Sequence, residues 1–391
     1  MPNLIGNEDK YLHSCITSTF VSSVGEYVNT FEEMVGVACG LSDSSCVVAT
    51  SSGTTGLHVA LTAVGVKYSD LIIIPTFTFI ATANSIAHCG AKPWLMDVSS
   101  LDWCLNPKLV REEIEEHCVR ENEKLIYKPT GQRVAALMPV YTLGNIPDMK
   151  AFRAIANEYG LPLVVDAACA IGATYKGSPF APLADLSVLS FNGNKTITCG
   201  GGGAVVVNSY AELNDTQRKG KELADYVRHL TTTARVWPDY DFDEVGFNYR
   251  MTNVQAAIGC AQMERLDSFI VTKRRVRAFY KDKLQTIADS HGITFFPATD
   301  GSSCWFSGIV MPKGYTLAES KMLCEKLKEK GIEAKPFWKP VHLQKPYIDC
   351  PKSDVRLSEG LWQRIITLPC STGITDEELD VVTSAVEEVL R

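Results

Sequence analysis

Two residues, Asp166 and Lys195, have the types and the placement to do chemistry together. Asp166 ends the apolar run 161–166, and Lys195 follows a second apolar run, 186–190. If both runs are strands of one sheet, the acid and the amine face a single pocket. A lysine that forms an imine, with an aspartate as partner for a pyridinium nitrogen, is the arrangement that pyridoxal phosphate (PLP) chemistry needs. Taken singly, most lysines are solvated surface groups and most strand-end aspartates are turn residues or helix caps, so other motifs must decide.

A run of small residues is typical of a phosphate-binding turn. Ser52, Gly53 and Thr54 follow one predicted strand and open a predicted helix. Small side chains let the backbone approach a ligand, and free N–H groups at a helix start attract a phosphate. The alternative for the same residues is an ordinary Ser/Thr helix cap. The glycine run 200–203 either forms a flexible turn or gives the backbone room to pass close to a cofactor.

Two aromatic residues follow the end of another predicted strand. Phe77 and Phe79 lie two and four residues after Pro75. A ring at this place either stacks on a planar cofactor or packs in the core, and the spacing alone leaves both roles open.

These motifs need a sheet that brings them together. Helix-period segments lie between several short apolar runs, which predicts a mostly parallel sheet covered on both faces. The predicted strands are 46–50, 71–75, 93–98, 134–139, 163–166, 186–190 and 204–208. Ligands of such sheets bind beyond the carboxyl ends of the strands. Thr50, Pro75, Asp166 and Ser190 are predicted to lie there.

The later part of the chain has a different pattern. A helix is predicted over 253–266 and a charged helical stretch over 267–289, followed by an apolar run at 306–311 and a helix at 318–330. This order favours a smaller α+β domain. We therefore predict a large domain, 1–265, and a small C-terminal domain, 266–391.

Composition excludes several function classes. The chain has 391 residues, a net charge of −7 and no long basic block, so we expect no nucleic acid partner. Its thirteen cysteines form no Cys-x-x-Cys pair or zinc-type cluster, so no metal is expected. The sequence shows neither a signal peptide nor an apolar run long enough for a membrane helix. We expect a cytoplasmic protein without membrane contact.

Together these residues resemble the DegT/DnrJ/EryC1/StrS family of PLP-dependent nucleotide-sugar aminotransferases. The resemblance covers nearly the whole chain in ordered blocks: 6–8, 21–25, 52–54, 75–79, 166–168, 190–195, 246–251 and 339–344. It implies the aspartate aminotransferase type I fold, with a mostly parallel seven-stranded sheet in the large domain and a smaller C-terminal α+β domain. The implied cofactor is pyridoxal 5'-phosphate.

The resemblance also assigns roles around the cofactor. Lys195 would hold PLP as an imine and shuttle the proton during transfer, and Asp166 would keep the pyridinium nitrogen protonated. Phe79 would stack on the ring. The implied phosphate ligands are Gly53, Thr54 and Ser190. Cys169 occupies the position beside the 3-hydroxyl where many members have Gln, His or Glu, and a thiol is a weak hydrogen-bonding group there.

The implied substrates are L-glutamate and a nucleotide-linked keto sugar, with 2-oxoglutarate as a product. Asn248 would reach the phosphate in a neighbouring subunit, which implies a homodimer with shared active sites. Arg250 is a candidate for anionic substrate groups, and His342 is expected to shape the sugar pocket.

The branch that the chain resembles most aminates C4 of UDP-linked 4-keto-6-deoxy hexosamines, as in bacillosamine and legionaminic acid routes. Because Lys195 is present, amine transfer is favoured over the reaction of family dehydratases, which carry histidine there. Two alternatives stay open. One is a non-catalytic sensor of sugar nucleotides. The other is a different type I PLP reaction, such as amination of a 3-keto sugar or a desulfurase-like reaction using Cys199.

Overall fold

The computed structural model describes residues 2–209, 219–236 and 238–391. Numbered in chain order, the helices are α1 Glu8–Ser18, α2 Glu26–Ala38, α3 Gly53–Ala63, α4 Ile80–His88, α5 Pro107–His117, α6 Met149–Tyr159, α7 Gly220–Thr231, α8 Asn253–Met263, α9 Leu266–His291, α10 Leu317–Glu329, α11 Arg356–Trp362 and α12 Asp376–Leu390. The strands are β1 Val47–Thr50, β2 Leu71–Pro75, β3 Lys92–Met96, β4 Cys118–Glu121, β5 Lys124–Tyr127, β6 Gln132–Leu137, β7 Val164–Asp166, β8 Thr174–Tyr175, β9 Ser178–Pro179, β10 Leu186–Ser190, β11 Gly203–Val207, β12 Arg235–Val236, β13 Asp241–Phe242, β14 Thr294–Phe295, β15 Ser307–Val310, β16 Lys335–Pro336 and β17 Ile365–Leu368. Within the described ranges, no helix combines the length and the apolar composition needed to cross a lipid bilayer.

Seven strands form the main part of the central sheet, in the order β1-β11-β10-β7-β6-β2-β3, and the hairpin β4–β5 pairs antiparallel with β6. Parallel bridges between Leu137 and Leu163 and between Val140 and Asp166 join β6 to β7. Strand β11 runs antiparallel to both β1 and β10, whereas β10–β7, β2–β6 and β2–β3 are parallel pairs. Six of the seven strands therefore share one direction, which confirms the predicted mostly parallel seven-stranded sheet.

Helices cover both faces of this sheet because its strands carry apolar side chains on both sides. In β2, Ile73 belongs to one buried cluster and Ile72 belongs to the other. The first cluster contains Phe31 of α2 and Phe152 of α6, and the second contains Leu57 of α3. The sheet is therefore the middle layer of three.

Four strand ends form the edge where a ligand is expected. Strands β1, β2, β7 and β10 end at Thr50, Pro75, Asp166 and Ser190, as the sequence predicts. These strands point the same way, so their last residues lie along one edge of the sheet. That edge carries the residues of the candidate site.

The C-terminal part of the chain builds a second sheet, in the order β14-β15-β17-β16. Its core cluster contains Tyr280 of α9 and Leu327 of α10. Helix α9 starts at Leu266, but Phe269 in its first turn still packs in the core of the central sheet. Val341 also returns to that core. A smaller α+β unit is thus present, and the division at residue 265 stays a prediction.

Candidate active site

Asp166 lies at the carboxyl end of β7, with 5% of its surface exposed. Its Oδ2 accepts a hydrogen bond from the Thr82 hydroxyl at 2.7 Å, and its Oδ1 accepts one from the Ala168 N–H at 3.1 Å. Burial raises the pKa of Asp166, while these two hydrogen bonds and the charge of Lys195 oppose the rise. A buried carboxyl group held by two donors is fixed in orientation and favours a cationic partner.

The amine of Lys195 reaches the same pocket from the end of β10. Its Nζ lies 3.4 Å from Cys169 Sγ and 3.9 Å from the centroid of the Trp305 ring. Burial raises the pKa of Cys169 to about 11, so this thiol stays neutral beside the amine. Trp305 is held in turn, because its indole N–H donates to the Asn194 carbonyl at 2.8 Å. The fold thus brings Lys195, Cys169 and Asp166 together, as the sequence predicts.

The start of α3 combines a helix cap with a close approach of two strand ends. Ser52 Oγ accepts a hydrogen bond from the Thr55 N–H at 3.1 Å, and the Thr55 hydroxyl accepts one from the Ser52 N–H at 3.1 Å. The predicted alternative, a helix cap, is therefore present. A Cβ on Gly53 would lie 2.8 Å from the Cβ of Ser190. Because a helix leaves its first N–H groups without intrahelical partners, those of Gly53 and Thr54 remain available to an anion.

The two aromatic candidates take different positions. Phe77 is fully buried in the core. Phe79 is the N-cap residue of α4, and 55% of its surface is exposed. Its ring centroid lies 6.2 Å from that of Trp338. Phe77 therefore packs as a core residue, whereas Phe79 offers an uncovered ring at the site.

Arg250 is engaged within the fold. Its Nη1 donates to Glu32 Oε1 at 2.8 Å, and only 10% of its side chain is exposed. Glu32 also accepts a hydrogen bond from Arg228 at 3.0 Å. Burial lowers the pKa of Arg250, and the nearby Glu32 opposes that effect. Binding of anionic substrate groups by Arg250 stays a prediction, and this buried ion pair argues against it.

His342 is also engaged on both ring nitrogens. Its Nδ1 lies 2.6 Å from Thr76 Oγ1, and its Nε2 lies 3.1 Å from Glu359 Oε1. Burial lowers the pKa of His342, while its contact with Glu359 opposes the shift. The imidazole joins the turn after β2 to α11, so it supports the wall of the site and offers no free nitrogen. Its contribution to a sugar pocket stays a prediction. Asn248 is exposed on the loop before Arg250, and its predicted contact with a partner's cofactor is likewise untested.

Cys199 is poorly placed for the desulfurase-like alternative. Its surface is 1% exposed, and burial raises its pKa. A Cβ on Gly259 would lie 2.6 Å from its sulfur, so α8 packs directly against it. A buried, neutral thiol behaves as a packing group.

Two residues of the site were not identified from the sequence. Thr82 forms hydrogen bonds to Asp166 and also lies 2.9 Å from the Thr78 hydroxyl, measured between their Oγ1 atoms. Two threonines at i and i+4 beside the predicted stacking residue are a signal that could have indicated a buried polar face. Trp305 had no comparable signal, because it reaches Lys195 from a segment far along the chain.

The family model described as the DegT/DnrJ/EryC1/StrS aminotransferase family matches residues 2–387. The chain belongs to this family. It is 34% identical over 389 residues to the GDP-perosamine synthase of Caulobacter vibrioides, covering 100% of this chain and 97% of that protein. It is 32% identical over 392 residues to the GDP-perosamine synthase of Vibrio cholerae, covering 99% and 97%. The crystal structure of NtdA from Bacillus subtilis with bound cofactor PMP matches with a TM-score of 0.80 and 24% identity, covering 98% of this chain and 81% of that one, and this likeness shows the fold.

This member of the DegT/DnrJ/EryC1/StrS family is a PLP-dependent aminotransferase, and PLP is its cofactor. The site fits that group. Asp166 offers a buried carboxylate for the ring nitrogen, Lys195 offers an amine, and the close contact of Gly53 with Ser190 leaves a small-residue cradle where α3 begins. Phe79 has an uncovered ring for stacking. When bound, PLP supplies an electron sink and carries the amino group.

Proposed function

We propose that the protein transfers the amino group of L-glutamate to the keto carbon of a nucleotide-linked 4-keto-6-deoxy sugar, in the biosynthesis of a surface polysaccharide or glycan. One observation carries the proposal: the amine of Lys195 shares a buried pocket with the carboxylate of Asp166. Membership of a family of sugar aminotransferases supports the choice of acceptor. The reaction would take place in the cytoplasm.

Each residue of the site has a defined task in this proposal. Lys195 Nζ takes the proton from the α-carbon of the amino donor, and Asp166 holds the ring nitrogen of the cofactor in its charged form. The N–H groups of Gly53 and Thr54, with the Ser190 hydroxyl, bind the phosphate. A positioned base of this kind contributes about 10²- to 10⁴-fold in rate. Phe79 and Cys169 would contact the ring face and the 3-hydroxyl.

A homodimer is part of the proposal. Asn248, the residue expected to reach a partner's cofactor, lies exposed on the loop before Arg250. Large apolar side chains are exposed between α1 and α2 and at or just after β13, namely Phe20, Val21, Val24, Phe242 and Val245. A second copy of the chain would cover such a surface. Sedimentation velocity on the holoenzyme tests this, and a monomer at micromolar concentration would contradict it.

The identity of the nucleotide on the sugar substrate is a separate part of the proposal. The sequence resemblance predicts a UDP-linked sugar, whereas the relatives described above are named GDP-perosamine synthases. Their names favour a GDP-linked substrate, and we take GDP as the first nucleotide to test. Matched GDP- and UDP-linked 4-keto-6-deoxy sugars, compared by kcat/KM, would separate the two, and a higher value for UDP would restore the original prediction.

The central experiment follows 2-oxoglutarate release and the amino-sugar product with L-glutamate and each keto sugar. We expect turnover with the wild-type enzyme and none with Lys195→Ala, whose cofactor absorbance near the imine band should also be lost. NMR of the product distinguishes amination at C4 from amination at C3. Binding of the sugar nucleotide without any 2-oxoglutarate would instead favour the sensor alternative.

A further inference from the structure

A cavity of about 910 Å³ lies beside Lys195, between the segment that follows β10 and the C-terminal residues 367–374. Lys195, Thr196 and Lys273 all line it. A cavity of this size accommodates a small molecule. A ligand in it would lie beside the segment that carries Lys195 and beside a second lysine, Lys273.

Lys273 is a buried cation without an acidic partner in the described ranges. Its surface is 5% exposed, and its Nζ donates to the Trp305 carbonyl at 2.9 Å and to the Cys370 carbonyl at 2.6 Å. Its Nζ also lies 3.9 Å from Cys370 Sγ, which is only a weak acceptor for the third N–H of the ammonium group. Neither carbonyl neutralises the charge, and a buried charge without a counter-ion is costly. The position therefore favours an anion.

Thr196 adds a second buried polar group that an anion could satisfy. Its hydroxyl oxygen is buried, and no group in the described part of the chain forms a hydrogen bond with it. A buried hydroxyl without a partner is uncommon in folded proteins. Thr196 lines the same cavity as Lys273, so a carboxylate bound there would offer an acceptor to the hydroxyl and a counter-charge to the ammonium group.

The other charged residues of the cavity already have partners. Lys335 is exposed and pairs with Glu333 at the rim. Glu378 accepts hydrogen bonds from the backbone N–H of Thr375 at the start of α12. Arg250, the cation expected from the sequence, does not line this cavity and is held by Glu32. Of the cations that line the cavity, Lys273 is thus the buried one whose charge has no acidic partner among the described residues.

We propose that Lys273 and Thr196 bind a carboxylate of the dicarboxylate amino donor. This rests on the proposed use of L-glutamate. The keto sugar carries its negative charge on the diphosphate, remote from the carbonyl that is aminated. The two half-reactions therefore differ in their need for a cation beside Lys195, and the site acts in the donor half-reaction alone.

The two half-reactions of one enzyme provide the test. Lys273→Met removes the charge at nearly constant length, and Thr196→Val removes the hydroxyl at constant shape. Each half-reaction is followed separately by the cofactor absorbance. We expect the dissociation constant of L-glutamate to rise roughly 10- to 100-fold in Lys273→Met, as for loss of a charge-assisted hydrogen bond, and less in Thr196→Val. The sugar half-reaction should change less than about 2-fold, since no contact with the sugar is removed. Lys273→Arg, which keeps the charge, should retain more donor affinity than Lys273→Met.

Binding of glutarate to the holoenzyme, measured by calorimetry, is a second readout that needs no turnover. Glutarate is a dicarboxylate without an amino group, so its affinity should fall in Lys273→Met and stay unchanged in the control Lys335→Met. An unchanged donor constant in folded Lys273→Met would overturn the proposal, and so would an equal loss in both half-reactions. Should Lys273→Met not fold, an unchanged glutarate affinity in Thr196→Val has the same meaning. Failure of the proposed function is distinguishable, because the wild-type enzyme would then release no 2-oxoglutarate with any sugar.

Discussion

Replacing Thr82 with valine isolates the hydrogen bond that orients Asp166. The two side chains have the same shape, but valine removes the hydroxyl that donates to Asp166 Oδ2 at 2.7 Å. Thr82 is fully buried, so water does not replace the lost donor. A hydrogen bond to a charged group contributes about 1.5–3 kcal/mol. We therefore expect the dissociation constant of PLP to rise roughly 10- to 100-fold.

The same substitution should change the pH dependence of cofactor binding. Burial raises the pKa of Asp166, and the Thr82 hydrogen bond opposes that rise. The carboxylate that pairs with the ring nitrogen is present above this pKa and is lost as the pH falls through it. Loss of the hydrogen bond raises the pKa further, so cofactor affinity should begin to fall at a higher pH in Thr82→Val. The displacement should be about 1–2 pH units, since each unit corresponds to about 1.36 kcal/mol.

The assay is a titration of the apoenzyme with PLP, followed by absorbance at several pH values between about 5 and 9. This window is wide enough to reveal a displacement of about 1–2 pH units. Thr82→Ser keeps the hydroxyl and should bind nearly as well as the wild type. Ser85→Ala is a matched control, because Ser85 is also buried on α4 but donates to the Thr82 carbonyl and not to Asp166. Wild-type affinity and pH profile in Thr82→Val would refute the reasoning, as would an equal loss in Ser85→Ala.

Three further substitutions test other contacts. Gly53→Ala places a Cβ 2.8 Å from that of Ser190, so we expect weaker PLP binding and a destabilisation of about 1–3 kcal/mol in thermal unfolding. Glu32→Ala leaves Arg250 buried without its acidic partner, and urea unfolding should show a loss of about 3–5 kcal/mol; a loss below about 1 kcal/mol would contradict the ion-pair assignment. Burial raises the pKa of Asp166 above its value in the unfolded chain. The folded apoenzyme therefore loses stability as the pH rises above the pKa of the unfolded chain. Asp166→Asn apoenzyme should therefore melt at or above the wild-type temperature near neutral pH while binding PLP more weakly, and a lower melting temperature would contradict this.

Local patterns were enough to predict the seven main strands of the central sheet and the edge of the sheet that carries the site. Strand β2 reads as a continuous apolar run because both faces of a central parallel strand are buried, and it ends at Pro75 as predicted. Asp166 and Lys195 could be paired from the sequence for the same reason. Asp166 is the last residue of β7 and Lys195 lies in the segment after the end of β10, and parallel neighbours place such ends side by side.

The partners of the charged side chains were decided only by the tertiary structure. Arg250 looked free to bind an anion, but its partner Glu32 lies 218 residues earlier in the chain. Lys273 reads as one charge among many on a polar helix, yet the packing of α9 against the C-terminal segment buries it in the wall of a cavity that Lys195 also lines. Sequence periodicity is a local property set by the backbone, and it specifies which face of an element is buried. Which charge is neutralised, and which is left for a ligand, depends on contacts between distant segments that form only when the chain folds.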